Sequence, residues 1–156
     1  MTERQPSSRS CFICGRENPL GLKMRWVSDR RANEVRGQVV IPEHFNGYPG
    51  VVHGGILTAI LDEAMARSVL IDGGFDDLLV TAKLEMVFRR PTPTDTPVTA
   101  VARLVKRVGS RAIAEAELRL ADGTVTARAE ATMAKPPPAV AAGWEKERPH
   151  WKVDSD

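Results

Sequence analysis

The chain has 156 residues, 42% of them hydrophobic and 27% charged, which suits one soluble globular domain with a real core. A formal net charge of +2, with no basic run interleaved with aromatics, argues against nucleic acid as a partner. No apolar stretch reaches the roughly 18 residues of a membrane span, and the polar MTERQPSSRS at the start lacks the apolar core of a signal peptide. A cytoplasmic protein with no membrane partner is the expectation.

Residues 1–10 read as a flexible N-terminus. Cys11-Phe-Ile-Cys14 follows, a lone CxxC. A tetrahedral zinc site needs four ligands, and no second CxxC supplies the other two. His44 and His53 stand at non-finger spacing, so the expectation is no metal and two reduced thiols pinning this segment. Nothing beside the motif reads as the βαβ unit of a thioredoxin-like redox protein. Leu20–Val27 and Glu34–Ile41 read as strands joined by a polar turn, and Pro42 to Gly50 as a loop rich in proline and glycine. An apolar helix is expected from about His53 to Ile71, ended by Gly73-Gly74. The period then changes to two. Thr81–Phe88 alternates, with Ala82, Leu84, Met86 and Phe88 on one face. Val98–Val108, Arg111–Leu120 and Thr124–Ala134 complete the strands, and Asp122-Gly123 is a hairpin turn between the last two. Val125, Ala127, Ala129, Ala131 and Met133 share a face. The segment 135–156 is Pro-rich, lacks periodicity and is expected to be a flexible tail, leaving 11–134 as the domain.

The order β-β-α-β-β-β-β with one long apolar helix implies an α+β fold, an antiparallel sheet wrapped around that helix. One sheet has one inner face, and a second subunit is a natural cover for the rest of the helix.

Residues 51–64, VVHGGILTAILDEA, carry the chemistry. Gly55 and Asp62 are about 700° apart on the helical wheel, which returns to within roughly 20° of one face. A helix N-terminus offers free N–H groups to an oxygen gaining negative charge, and two glycines clear the approach. A carboxylate facing the same space can activate water or attack directly. These are the parts for acyl transfer or hydrolysis. The seven-residue separation, however, spans roughly 10 Å along the axis, too far for both groups to meet one carbonyl. An antiparallel two-fold partner closes the gap by setting Asp62 of one subunit opposite Gly55 of the other. Against these stand plainer readings: a solvated or structural Asp62, a capping His53, and Glu63 paired with Arg67 at i,i+4.

His53-Gly54-Gly55, then Asp62, then Val80-Thr81-Ala82 opening a strand that ends Phe88-Arg89-Arg90-Pro91, resembles the hotdog-fold acyl-CoA thioesterases, in their phenylacetate-degradation-type branch. CFICGRENPLGL resembles a CxxCG…NPxGL leader found with that family. The likeness covers about residues 11–134. It implies a hotdog fold and an acyl-CoA thioesterase that releases a carboxylic acid and free CoA. It implies a site between the subunits of a homodimer, or of a dimer of dimers. Asp62 would be general base or nucleophile, Gly55 the oxyanion amide and Thr81 the hydroxyl that places water or acid. His53 stands with them as a catalytic candidate. Asn46, Gly54, Glu63, Arg89 and Arg90 are the substrate-side candidates, the two arginines for CoA phosphates. No cofactor is expected beyond the coenzyme A of the substrate. A hydratase or dehydratase, or a non-catalytic acyl-CoA binder on the same fold, are the competing functions.

Overall fold

Period-two alternation of small apolar residues builds the core of the sheet. In the computed structural model, which describes residues 1–155, β7 (Pro97–Val108), β8 (Arg111–Leu120) and β9 (Val125–Ala134) form a continuous antiparallel meander. Val98, Ala100 and Ala102, then Ala112, Ala114, Ala116 and Leu118, then Ala127, Ala129, Ala131 and Met133 are all buried. Alanine on every second position lets a helix approach the sheet closely.

That helix is α1 (Gly54–Val69), which buries Leu57, Ile60, Leu61, Ala64 and Met65 in one cluster with those sheet residues. Ile56, Ala59 and Ala66 stay half-buried. The helix ends two residues before the expected Ile71, because the Leu70 N–H turns back to the Arg67 carbonyl. No helix among the described residues is long and apolar enough to cross a membrane.

The remaining strands are β1 (Thr2–Arg4), β2 (Trp26–Asp29), β3 (Glu34–Val40) and β6 (Val80–Phe88), and the full sheet runs β1-β2-β3-β7-β8-β9-β6, with β6 at one edge. A short hairpin pairs β4 (Asn46–Tyr48), inside the segment read as loop, with β5 (Val51–Val52) just after it.

Three segments depart from the sequence expectation. The strand expected over Leu20–Val27 begins only at Trp26, because the Leu22 and Met24 N–H groups bond to the Phe12 and Ile13 carbonyls instead of joining a ladder. Residues 1–10, expected to be flexible, supply β1, which pairs with β2. Gln5 and Ser7 beyond it are buried, and the Gln5 amide donates to Ser28 Oγ at 2.8 Å and to the Arg67 carbonyl at 3.0 Å. The tail, also expected to be flexible, forms α2 (Pro138–Trp144) and a 3-10 turn over Glu145–His150. Ion pairs bind it to the body: Arg9 with Glu147 at 2.7 Å, Arg148 with Asp76 at 2.6 Å and Arg16 with Asp154 at 3.2 Å. Its Trp151 ring lies against Phe75 and the Arg67 guanidinium. None of these partners is near in sequence, so no local pattern announces them.

Candidate active site

The start of α1 is fixed from both sides. The Val52 N–H donates to the Thr92 carbonyl at 2.9 Å and the His53 N–H to the Phe45 carbonyl at 3.0 Å. His53 then caps the helix, its Nδ1 accepting from the Gly55 N–H at 2.8 Å. This makes Nδ1 the unprotonated ring nitrogen. The amide expected to receive a carbonyl oxygen is thus held by the histidine two residues earlier. Gly55 and His53 are both exposed, so an incoming oxygen can replace the imidazole without unfolding the turn.

Two turns along, Asp62 is half-buried. Its Oδ1 accepts from the Thr81 hydroxyl at 2.6 Å, a short charge-assisted bond. Strict alternation would send the Thr81 side chain to the face opposite Leu84 and Met86. The ladder between β6 and β9 instead shifts register between Thr81 and Lys83, with Thr81 opposite Met133 and Lys83 opposite Thr132. This bulge at Ala82 adds one residue to the strand and reverses the parity of what precedes it. Thr81 therefore turns toward α1, onto the side of the half-buried Leu84 and Met86.

Beside the helix start lies an open groove of about 430 Å³, lined by Tyr48, Val52, His53, Gly54, Leu57 and Phe88 among others. A Cβ on Gly54 would stand 3.3 Å from the Phe88 ring, so a larger residue there would press that exposed ring aside. Arg89 and Arg90 also line the groove, and both are exposed. Their backbone N–H groups both donate to the Thr126 carbonyl, at 2.8 and 3.1 Å, which sets two cations at the end of β6.

Two of the expected substrate-side residues lie elsewhere. Asn46 is not among the groove residues: its side-chain amide donates to Glu43 Oε1 at 2.9 Å and braces the loop. That loop is tied through Glu43, whose carboxylate also accepts from the Thr94 hydroxyl and from the Gly50 N–H at 3.1 Å. These bonds, the Thr94 one foremost, hold Glu43 below its usual carboxylate range. Glu63 faces the CxxC segment, pairing with Arg67 at 2.8 Å and accepting from the Cys11 thiol at 3.8 Å. Tyr48 and Phe88 were not singled out from the sequence as groove residues. Each carries a clue: Tyr48 is an aromatic among glycines and prolines in the loop before HGG, and Phe88 heads the Phe88-Arg89-Arg90-Pro91 stretch that holds the two arginines.

The thioesterase superfamily matches residues 49–127, the stretch that carries His53, Gly55, Asp62 and Thr81. Among solved structures, a thioesterase superfamily protein shares 28% identity at a TM-score of 0.75, over 81% of this chain and 61% of that one. This chain thus spans about three-fifths of that relative. A phenylacetic acid degradation-related protein from Ralstonia eutropha JMP134 shares 28% identity at a TM-score of 0.66, over 72% of this chain and 85% of the other. A hypothetical thioesterase from Streptococcus pneumoniae TIGR4, solved with coenzyme A, has the same fold at 19% identity and a TM-score of 0.60, over 65% of this chain and 77% of the other. No curated protein matches the chain.

Proposed function

The chain belongs to the thioesterase superfamily and has its hotdog fold, and on that premise we propose that it hydrolyses an acyl-CoA to a carboxylic acid and free CoA. The observation that carries this reading is the half-buried Asp62 carboxylate, held through Oδ1 by the re-aimed Thr81 hydroxyl at 2.6 Å. A carboxylate fixed by one oxygen keeps the other for a water or for the carbonyl carbon.

In this mechanism two copies pair so that Asp62 of one subunit faces the start of α1 in the other. The thioester oxygen displaces His53 from the Gly55 N–H, which then stabilises the growing negative charge with the helix dipole behind it. Asp62 takes a proton from water as the water oxygen bonds to the carbonyl carbon. The tetrahedral intermediate expels the CoA sulfur, and the proton held by Asp62 passes to the departing thiolate. If Asp62 attacks directly instead, an anhydride forms, CoA leaves, and water opens the anhydride. Neither route needs a metal or redox group. Arg89 and Arg90 meet CoA phosphates at the groove mouth, and the groove takes the acyl group or pantetheine arm along Leu57 and Phe88. The structure of the pneumococcal relative with coenzyme A supports CoA as the carrier.

The test is free-thiol release from short, long and aromatic acyl-CoAs, comparing wild type with Asp62→Asn. Hydrolysis of one class by wild type, with a loss of about 10²–10⁴-fold in the variant, supports the reading. Binding of CoA esters with no thiol released by either protein overturns it in favour of a binding protein.

A further inference from the structure

The CxxC pair is not used by this chemistry, and its sequence setting offers no third ligand. The fold supplies one from 52 positions away. Cys11 Sγ, Cys14 Sγ and a Glu63 carboxylate oxygen all lie within 4.8 Å of one another, with Cys11 Sγ and Glu63 Oε2 3.8 Å apart. With bonds of about 2.3 Å to sulfur and 2.0–2.2 Å to oxygen, the edges of a tetrahedral zinc site measure roughly 3.5–3.8 Å. We propose that Cys11, Cys14 and Glu63 form a site for one thiolate-preferring divalent cation of the zinc class, with water as its fourth ligand.

The surrounding hydrogen bonds fit ligands rather than bystanders. The Ile13 N–H donates to Cys11 Sγ at 3.3 Å, and the Gly15 N–H closes the turn onto the Cys11 carbonyl at 2.8 Å. A Cβ at Gly15 would stand 2.4 Å from that carbonyl oxygen, so the tight turn requires glycine. Arg67 donates to Cys14 Sγ at 2.9 Å and to Glu63 Oε1 at 2.8 Å. This leaves Oε2, the oxygen facing Cys11, for the cation. Such outer contacts orient metal ligands and neutralise their charge.

Charge balance favours the exchange. Protonated, the cluster holds Arg67⁺, Glu63⁻ and two neutral thiols, and sums to zero. With a divalent ion and two thiolates it again sums to zero. Loading the site therefore swaps two protons for one cation and adds no net charge to a buried place. The Cys11 Sγ–Glu63 Oε2 separation of 3.8 Å already matches one edge of such a site. A Cys11–Cys14 disulfide is the other chemistry open to the pair, but it has no use for Glu63.

Cobalt(II) and zinc binding to the full chain, purified under reducing conditions, tests this. The expected result is one cobalt per chain with thiolate charge-transfer absorption and tetrahedral d–d bands, displaced by zinc. Cys11→Ser, at the more exposed cysteine, should lose that spectrum while keeping the wild-type far-ultraviolet dichroism. Glu63→Gln, which keeps both thiols, should weaken zinc in chelator competition by at least the roughly 10–100-fold that losing an outer partner costs. Absence of thiolate–cobalt absorption in reduced wild type overturns the proposal. So does zinc affinity unchanged in Glu63→Gln, or a cysteine pair that oxidises to a disulfide and holds no zinc once reduced.

Discussion

Thr81→Val removes the hydroxyl from Asp62 and keeps the branched shape of the side chain. The bond is 2.6 Å long and ends on a carboxylate. Hydrogen bonds to charged groups are worth about 1.5–3 kcal/mol, and the exposure of Thr81 places this one at the lower end. If the hydroxyl holds Asp62 in its reactive orientation, about 1.5 kcal/mol lost in the transition state is roughly a tenfold fall in kcat. KM should move little, because no substrate contact is lost. Thr81→Ser, which restores the hydroxyl, should recover most of the rate. Steady-state thiol release on the three proteins, with melting curves alongside, makes the comparison. A Thr81→Val enzyme within twofold of wild type would refute the argument. So would equal impairment of the serine variant.

Two further outcomes follow from other parts of the site. In Gly55→Ala the new Cβ would stand 3.0 Å from His53 Nδ1 and 3.2 Å from Cε1, pushing the ring aside and narrowing the path of an incoming carbonyl. Activity should fall roughly tenfold or more, because the N–H remains but the carbonyl can no longer reach it in line, with the melting temperature little changed. Kinetics and calorimetry on one preparation check both halves. Glu43 sits below its ordinary value of 4.5 through the Thr94, Gly50 and Asn46 bonds, so its contribution to stability is full above that value. It is lost as pH falls through the depressed folded value. Wild type should therefore out-melt Glu43→Gln at neutral pH, and that margin should shrink as the pH is taken below 4.5; a margin independent of pH would contradict this.

Much of the fold is legible in local pattern. The buried alanines of β8 and β9 recur at every second position, and α1 opens and closes within two residues of the expected bounds, His53 and Ile71. Legibility fails where a partner lies far along the chain. The tail has no periodicity, and is held by ion pairs to Arg9, Asp76 and Arg16 that only the fold assembles. Leu22 and Met24 look like strand residues, yet their N–H groups go to the Cys11–Cys14 turn. At the site, the one-face placement of Gly55 and Asp62 follows from helical period alone. The Thr81–Asp62 contact does not, since alternation points Thr81 the wrong way and the bulge that corrects it has no local marker. Asn46 is placed correctly in the loop, but its amide is taken by Glu43. Glu63 beside Asp62 reads as part of the same constellation, although one residue along a helix is a turn of about 100°, enough to aim it at the cysteines instead.

The most direct test of the two-subunit mechanism is complementation. Asp62→Asn and Gly55→Ala each spoil both sites of a homodimer. Co-folded in equal amounts, half the dimers should be mixed. Each mixed dimer carries one site with Asp62 from one subunit and Gly55 from the other, so about a quarter of wild-type thiol release should return. A mixture no more active than the sum of its two impaired parents, with mixed dimers present, would contradict a site shared across subunits.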